Sequence, residues 1–218
     1  PGVPDGCDRS IVGPQRNFDP LAPFETNDNP GWGASSTEWA GRGTVGNTFD
    51  YAAIHGEAWL RAGLSVSSVS RAAFERLPLR PSQYRTVDLI FGAQRSYPSR
   101  YKIFNKLITN QLKRLIEAKV SIIVSGSYIG RDPSVGESVR KLLGYAYDGP
   151  VADSVGRYYT PTFDRLRPLE GGQTIPLGDL PGGTVWNRRV FVFGFPIEIL
   201  KTNTLQNLFK LTLALSCD

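Results

Sequence analysis

Methionine is absent from the 218 residues, histidine occurs once and cysteine twice. Average composition would supply roughly four methionines; an intact mass equal to that of the 218 residues would show that none is missing. A single histidine, His55, and scattered carboxylates make no recognised metal-ligand spacing, so neither a metal nor a cofactor is expected. Cys7 and Cys217 form no CxxC motif and no zinc set. They lie near opposite ends of the chain, where they either pair, if the termini meet, or remain plain thiols. No apolar run approaches the roughly 18 residues of a membrane helix, which excludes a helical span. There is no signal-peptide pattern and no initiator methionine, which reads as a mature or excised form.

Forty per cent hydrophobic residues and four tryptophans describe a globular chain. The length suits one α/β domain over 1–218. Lysine and arginine outnumber aspartate and glutamate by 25 to 20, a net charge of +5. The basic residues are scattered, as in Arg71, Arg76, Arg80, Arg85, Lys106 and Lys113. They form no stripe interleaved with aromatics, so a solvated surface is expected and nucleic acid is not an expected partner.

The stretch Lys119–Asp132 organises the chain. Val120, Ile122, Ile123 and Val124 form a short apolar run that suits a strand covered on both faces. Ser125-Gly126-Ser127 ends it. Before it, Phe104, Leu107, Ile108, Leu112, Leu115 and Ile116 recur at helical spacing and predict a helix over 102–118. After it, Ser134 and Glu137 have capping-box form, Val135, Val139, Leu142 and Leu143 continue an apolar face, and Gly144 is the expected stop. Thr86–Gly92 and Arg189–Gly194 read as two more buried strands. Each of the three ends in a glycine-containing loop with a helical pattern after it. That alternation predicts a mostly parallel sheet with helices on both faces.

Around this frame, residues 1–50 read as an irregular arm anchored by Phe18, Phe24, Trp32 and Trp39. Asp50 is a candidate cap for a helix over 51–62 ending at Gly63, with Tyr51, Ile54, Ala58 and Ala62 on one face and His55 beside it. Leu64–Val69 suits an edge strand, and Arg71–Leu77 a short helix stopped by Pro78. Residues 145–188 read as an irregular, β-rich excursion. Thr204–Leu215 closes the chain as a helix whose leucines and Phe209 provide apolar bulk.

Ligands of open α/β sheets collect beyond the carboxyl ends of the strands. Gln94, Arg95, Ser125, Gly126 and Arg131 are candidate ligand-binding residues there. Ser127, on a tight strand-to-helix turn, is a candidate nucleophile, with His55 as base. Asp132 and Glu198 are candidate acid or base groups. Against this, Ser-Gly-Ser-Tyr-Ile-Gly is not Gly-x-Ser-x-Gly, and Asp88, inside a strand, reads as structural. Trp32, in Asn29-Pro-Gly-Trp-Gly-Ala-Ser35, is either a core plug or a stacking platform for sugars.

Several stretches, taken in order, resemble a group of secreted Bacteroidetes proteins labelled xanthan lyase, or golvesin C-terminal-like. They are Pro30-Gly-Trp-Gly-Ala-Ser35, Gly46-Asn-Thr-Phe-Asp-Tyr51 with His55-Gly56, Val87-Asp-Leu-Ile-Phe-Gly92, Ser125-Gly-Ser-Tyr-Ile-Gly-Arg-Asp132 and Val192-Phe-Gly-Phe-Pro-Ile-Glu198. The resemblance implies a flavodoxin-like three-layer sandwich, similar to class I glutamine amidotransferases. It also implies export, to the periplasm, the cell surface or the medium. Two departures stand out. No cysteine lies at the elbow where an amidotransferase carries its nucleophile, and Pro1-Gly-Val-Pro-Asp-Gly-Cys7 is too poor in apolar residues for a first central strand. The expectation is an accessory or binding domain of a cell-wall or polysaccharide-processing protein. Its partners would be glycan or peptidoglycan and the other domains of the parent chain. A hydrolase or polysaccharide lyase with its site at the strand ends is the alternative.

Overall fold

The computed structural model describes residues 51–92, 96, 102–152, 162–178 and 180–216. Their order is α1 (Tyr51–Arg61), α2 (Arg71–Arg76), β1 (Thr86–Gly92), α3 (Lys106–Glu117), β2 (Ser121–Gly126), α4 (Glu137–Leu143), β3 (Tyr145–Ala152), β4 (Thr162–Pro168), β5 (Gly172–Leu177), β6 (Leu180–Trp186), β7 (Val190–Phe193) and α5 (Thr202–Ser216). A mixed α/β architecture results. Five strands form one sheet in the order β1-β2-β7-β6-β5, and β3 and β4 form a separate antiparallel pair. The β1–β2 and β2–β7 ladders are parallel, whereas β7–β6 and β6–β5 are antiparallel, so only β6 runs against the other four. The three strands expected from the apolar runs are therefore adjacent and parallel. The chain between 145 and 188 departs from the expectation of an excursion, because its second half, β5 and β6, extends the main sheet.

Strand alternation sorts the core into two halves. Ile122, Val124, Val190 and Val192 face α3 and α4, in one cluster with Ile108, Leu112, Leu115, Val139 and Leu143. Ile123, Phe191 and Phe193 face the other way, with Trp59 of α1 and Leu205, Leu208 and Phe209 of α5. Residues of β2 and β7 are buried throughout, as a strand covered on both faces must be. None of the described helices is long and apolar enough to cross a membrane.

Local chemistry adjusts several expected boundaries. The helix expected over 102–118 starts at Lys106, because the Asn105 side chain accepts the Ile108 N–H at 2.9 Å and caps it there. Leu107 is half exposed, and Gln111 takes a buried place by donating to the Phe74 and Leu77 carbonyls. Ser134 caps nothing in α4, whose N-cap is Gly136. The Ser134 hydroxyl is engaged with Asp132 and the Phe104 N–H instead. Gly144 does end α4, in the left-handed region at φ 73°. Leu64–Val69 forms no strand; Val66 and Val69 are exposed. On α1 the buried positions are His55, Ala58 and Trp59, while Ile54 is exposed. The apolar stripe read from Ile54 is thus rotated, and His55 lies on the buried face.

The β3–β4 pair lies across the carboxyl end of the main sheet. The Asp164 N–H donates to the Gly194 carbonyl at 2.8 Å, just past the end of β7. Phe163 joins the α1/α5 half of the core and Leu166 the α3/α4 half, so β4 straddles the end of the sheet. A Cβ on Gly194 would run into the Asp164 carbonyl, which is why glycine is required at this crossing.

Candidate functional site

Helical spacing from Ala58 and Trp59 back to His55 turns the imidazole inward, against the sheet face that carries Asp88. There His55 is 1% exposed. Its Nδ1 lies 2.7 Å from Asp88 Oδ2, and its Nε2 lies 3.3 Å from Glu198 Oε2. Asp88 comes from the middle of β1. Glu198 comes from a single 3-10 turn, Ile197–Ile199, set up by Pro196 after β7. Trp59 Nε1 donates to the same Asp88 oxygen at 2.9 Å. Its indole stacks on Phe209 with ring centres 4.0 Å apart, closing the cluster from the α5 side.

Burial alone would push the His55 pKa down. The Asp88 charge and hydrogen bond, with those of Glu198, outweigh it and raise the pKa to about 10. At neutral pH the ring is therefore an imidazolium that donates from both nitrogens. It has no free lone pair with which to take a proton from a nucleophile. The expected pairing of His55 with Ser127 is not formed, because both ring nitrogens go to carboxylates. Glu198 does meet His55, as a charge partner.

The strand-end loop is organised separately. Ser125 and Ser127 are fully buried. The Ser127 N–H donates to the Gly92 carbonyl at 2.8 Å, and a Cβ on Gly126 would sit 2.8 Å from Phe91 Cβ. By alternation from Ile123, the Ser125 side chain lies on the His55 face of the sheet. Asp132 is 2% exposed and serves as the hub of a knot. It accepts the Ser96 N–H at 2.6 Å, the Ser96 hydroxyl at 2.5 Å, the Ser134 N–H at 2.8 Å and the Ser134 hydroxyl at 2.7 Å. Asp132, expected as an acid or base group, is instead engaged by four donors that tie the loop together.

Arg131 is anchored by a residue that the sequence did not single out. Asp164 of β4 is fully buried, and its Oδ2 accepts the backbone N–H groups of Gly130 at 2.7 Å and Arg131 at 2.9 Å. The Arg131 Nε lies 3.2 Å from Asp164 Oδ1, and its guanidinium is 4.7 Å above the Tyr128 ring. Asp164 carries no sequence signal, since Thr162-Phe-Asp-Arg-Leu-Arg167 resembles any amphipathic strand. Asp88 could have been found, because a charge inside an apolar strand needs a buried partner. Gln94, Arg95, Trp32, Trp39, Cys7 and Cys217 lie outside the described residues, as does Asp50. Among the described residues no group of three or more His, Cys, Asp or Glu side chains is arranged to hold a metal ion.

No family model, curated protein or solved structure matches this chain.

Proposed function

We propose that this chain is a non-catalytic accessory or binding domain, flavodoxin-like in its layering, of an exported protein that processes cell wall or polysaccharide. The observation that carries the non-catalytic part is the setting of His55: buried, and held on both nitrogens by Asp88 and Glu198, whose charges raise its pKa to about 10. Ser127 is fully buried, Asp132 is consumed by four hydrogen bonds, and β4 covers the strand ends where a substrate would enter. The exported, polysaccharide-linked setting, on the periplasmic or outer side of the cell, rests on the resembling stretches. Glycan or peptidoglycan and neighbouring domains of the parent chain are the partners this reading calls for.

The test is turnover of xanthan-type polysaccharide and of peptidoglycan by the wild type, Ser127→Ala and His55→Gln, with folding checked by circular dichroism. No product above the blank is expected from any of the three. A wild-type activity that either folded variant loses would overturn the reading.

One observation favours a hydrolase. The Asp88–His55 contact is the acid–base half of a nucleophilic triad, and on the same sheet face the Ser125 hydroxyl has no hydrogen-bond partner among the described residues. That reading requires His55 to leave Glu198 and lose its proton. Glu198→Gln would then raise a basal serine-dependent rate, whereas the non-catalytic reading expects no rate to raise.

A further inference from the structure

The loop after β2 is shaped to hold an anion. Gly130 and Arg131 present consecutive backbone N–H groups to one oxygen, and the Arg131 guanidinium comes alongside. Consecutive amides converging in this way form a nest of the kind that binds carboxylates and phosphates, here at the carboxyl end of a central strand. A Cβ on Gly130 would lie 2.5 Å from Tyr147 Cδ2 and 3.0 Å from Asp164 Oδ2, so glycine is what lets an oxyanion come this close. The anion seated there belongs to the chain itself. Asp164 reaches the loop from β4, across 33 and 34 residues of sequence.

We propose that the Gly130–Arg131 loop is a carboxylate-binding site that the chain fills with its own Asp164, so that the β3–β4 pair and an external carboxylate compete for the same donors. Three further features fit. The site is dry, with Asp164 and Gly130 both buried. Arg140 buttresses it through Nη2 to the Gly130 carbonyl at 2.6 Å, and the Tyr145 hydroxyl does the same at the Ile129 carbonyl at 2.5 Å, so the donors hold their aim without Asp164. Burial also outweighs the donors and leaves the Asp164 carboxyl above its ordinary pKa, which means that this occupant is less well stabilised than it would be in water. The donor set takes a carboxylate from either a uronic acid or a peptide terminus. The proposal shares no residue with the His55 cluster, so its failure would leave the His55 part of the non-catalytic reading in place.

The experiment is Asp164→Ala in the full chain, followed by thermal unfolding in sodium acetate against sodium chloride of equal ionic strength. The variant should melt below the wild type, and acetate should raise its midpoint further with the logarithm of its concentration. The rise should be roughly 3–6 °C at ten times the half-saturating concentration. Wild type, whose site is filled, should need at least about tenfold more acetate for the same rise, and Arg131→Gln added to Asp164→Ala should abolish it. If Asp164→Ala does not fold in chloride, refolding from urea into acetate should restore its native circular dichroism. Glucuronate and N-acetylalanine then separate the sources: tighter binding of the first assigns a uronic acid, of the second a peptide terminus, and either supports the site. No rise in the midpoint beyond that in chloride with any of the three carboxylates, or an equal rise without Arg131, overturns it.

Discussion

Two acidic regions among the described residues neutralise their charge by different means. Beneath α1, Asp88 and Glu198 are matched by a proton on His55 and by the Trp59 N–H. At the strand end, Asp132 and Asp164 are matched chiefly by backbone N–H groups and serine hydroxyls, with Arg131 added. The first region depends on a titratable donor brought from one distant element to two others. The donors of the second do not titrate near neutrality, and most belong to the loop itself. The first region therefore depends on three elements packing together, whereas the second draws its donors largely from one loop. When both nitrogens are engaged, the ring serves as a charged bolt joining α1, β1 and the turn after β7.

The strongest way to break this contrast is to remove the bolt. His55→Ala leaves the buried Glu198 and the largely buried Asp88 without the cation between them, and breaking a buried ion pair in this way costs about 3–5 kcal/mol. Urea unfolding should show that loss, and a cost below about 1 kcal/mol would mean that the cluster is solvated and the contrast false. Next in size is the pH response. The folded His55 pKa is about 10 against an ordinary 6.5, so the folded state holds the proton more tightly. Its contribution is fully present below pH 6.5 and is lost as pH rises from 6.5 to 10. Unfolding free energy should therefore fall across that window in the wild type and stay flatter in His55→Gln, measured by urea titration at several pH values. Equal slopes would reject the raised pKa. Asp164, whose folded carboxyl also sits above its ordinary value, has the same sign in an acid window: its contribution is fullest below its unfolded pKa and is lost as pH rises through the folded one.

The smallest expected effect sharpens the other side of the comparison. Asp132→Asn keeps one acceptor oxygen but turns an amide N–H towards donors. The cost should be about 1–3 kcal/mol, the range for leaving a buried hydrogen-bonding group unsatisfied. Its stability loss should not vary between pH 6.5 and 10, in contrast to the His55 variants. A pH-dependent loss there would show that the knot and the His55 cluster are one electrostatic unit.

Much of the frame was legible in the residues. Ile122, Ile123 and Val124, like Val190–Phe193, are apolar at every position, and only a strand covered on both faces accommodates that pattern. The caps were less legible, because their donors and acceptors are chosen from across the fold. Ser134 and Glu137 have the right spacing for a capping box, yet Asp132, two residues back, holds the Ser134 hydroxyl instead. The inward turn of His55 was hidden because the apolar Ile54 drew the expected stripe, whereas the charges of Asp88 and Glu198 hold His55 on the buried face.

Local patterns carry the frame: period, apolar content and chain-stopping glycines act within a few residues and made β1, β2, β7 and the helices around them expected. The pairing of charges depends on packing instead. Asp88 with His55, Glu198 with His55, and Asp164 with the Gly130–Arg131 amides join groups 33, 143 and about 34 residues apart. The reason is physical. A buried charge is stabilised by whatever opposite charge or donor lies within a few ångströms, and that distance is fixed by how the elements pack.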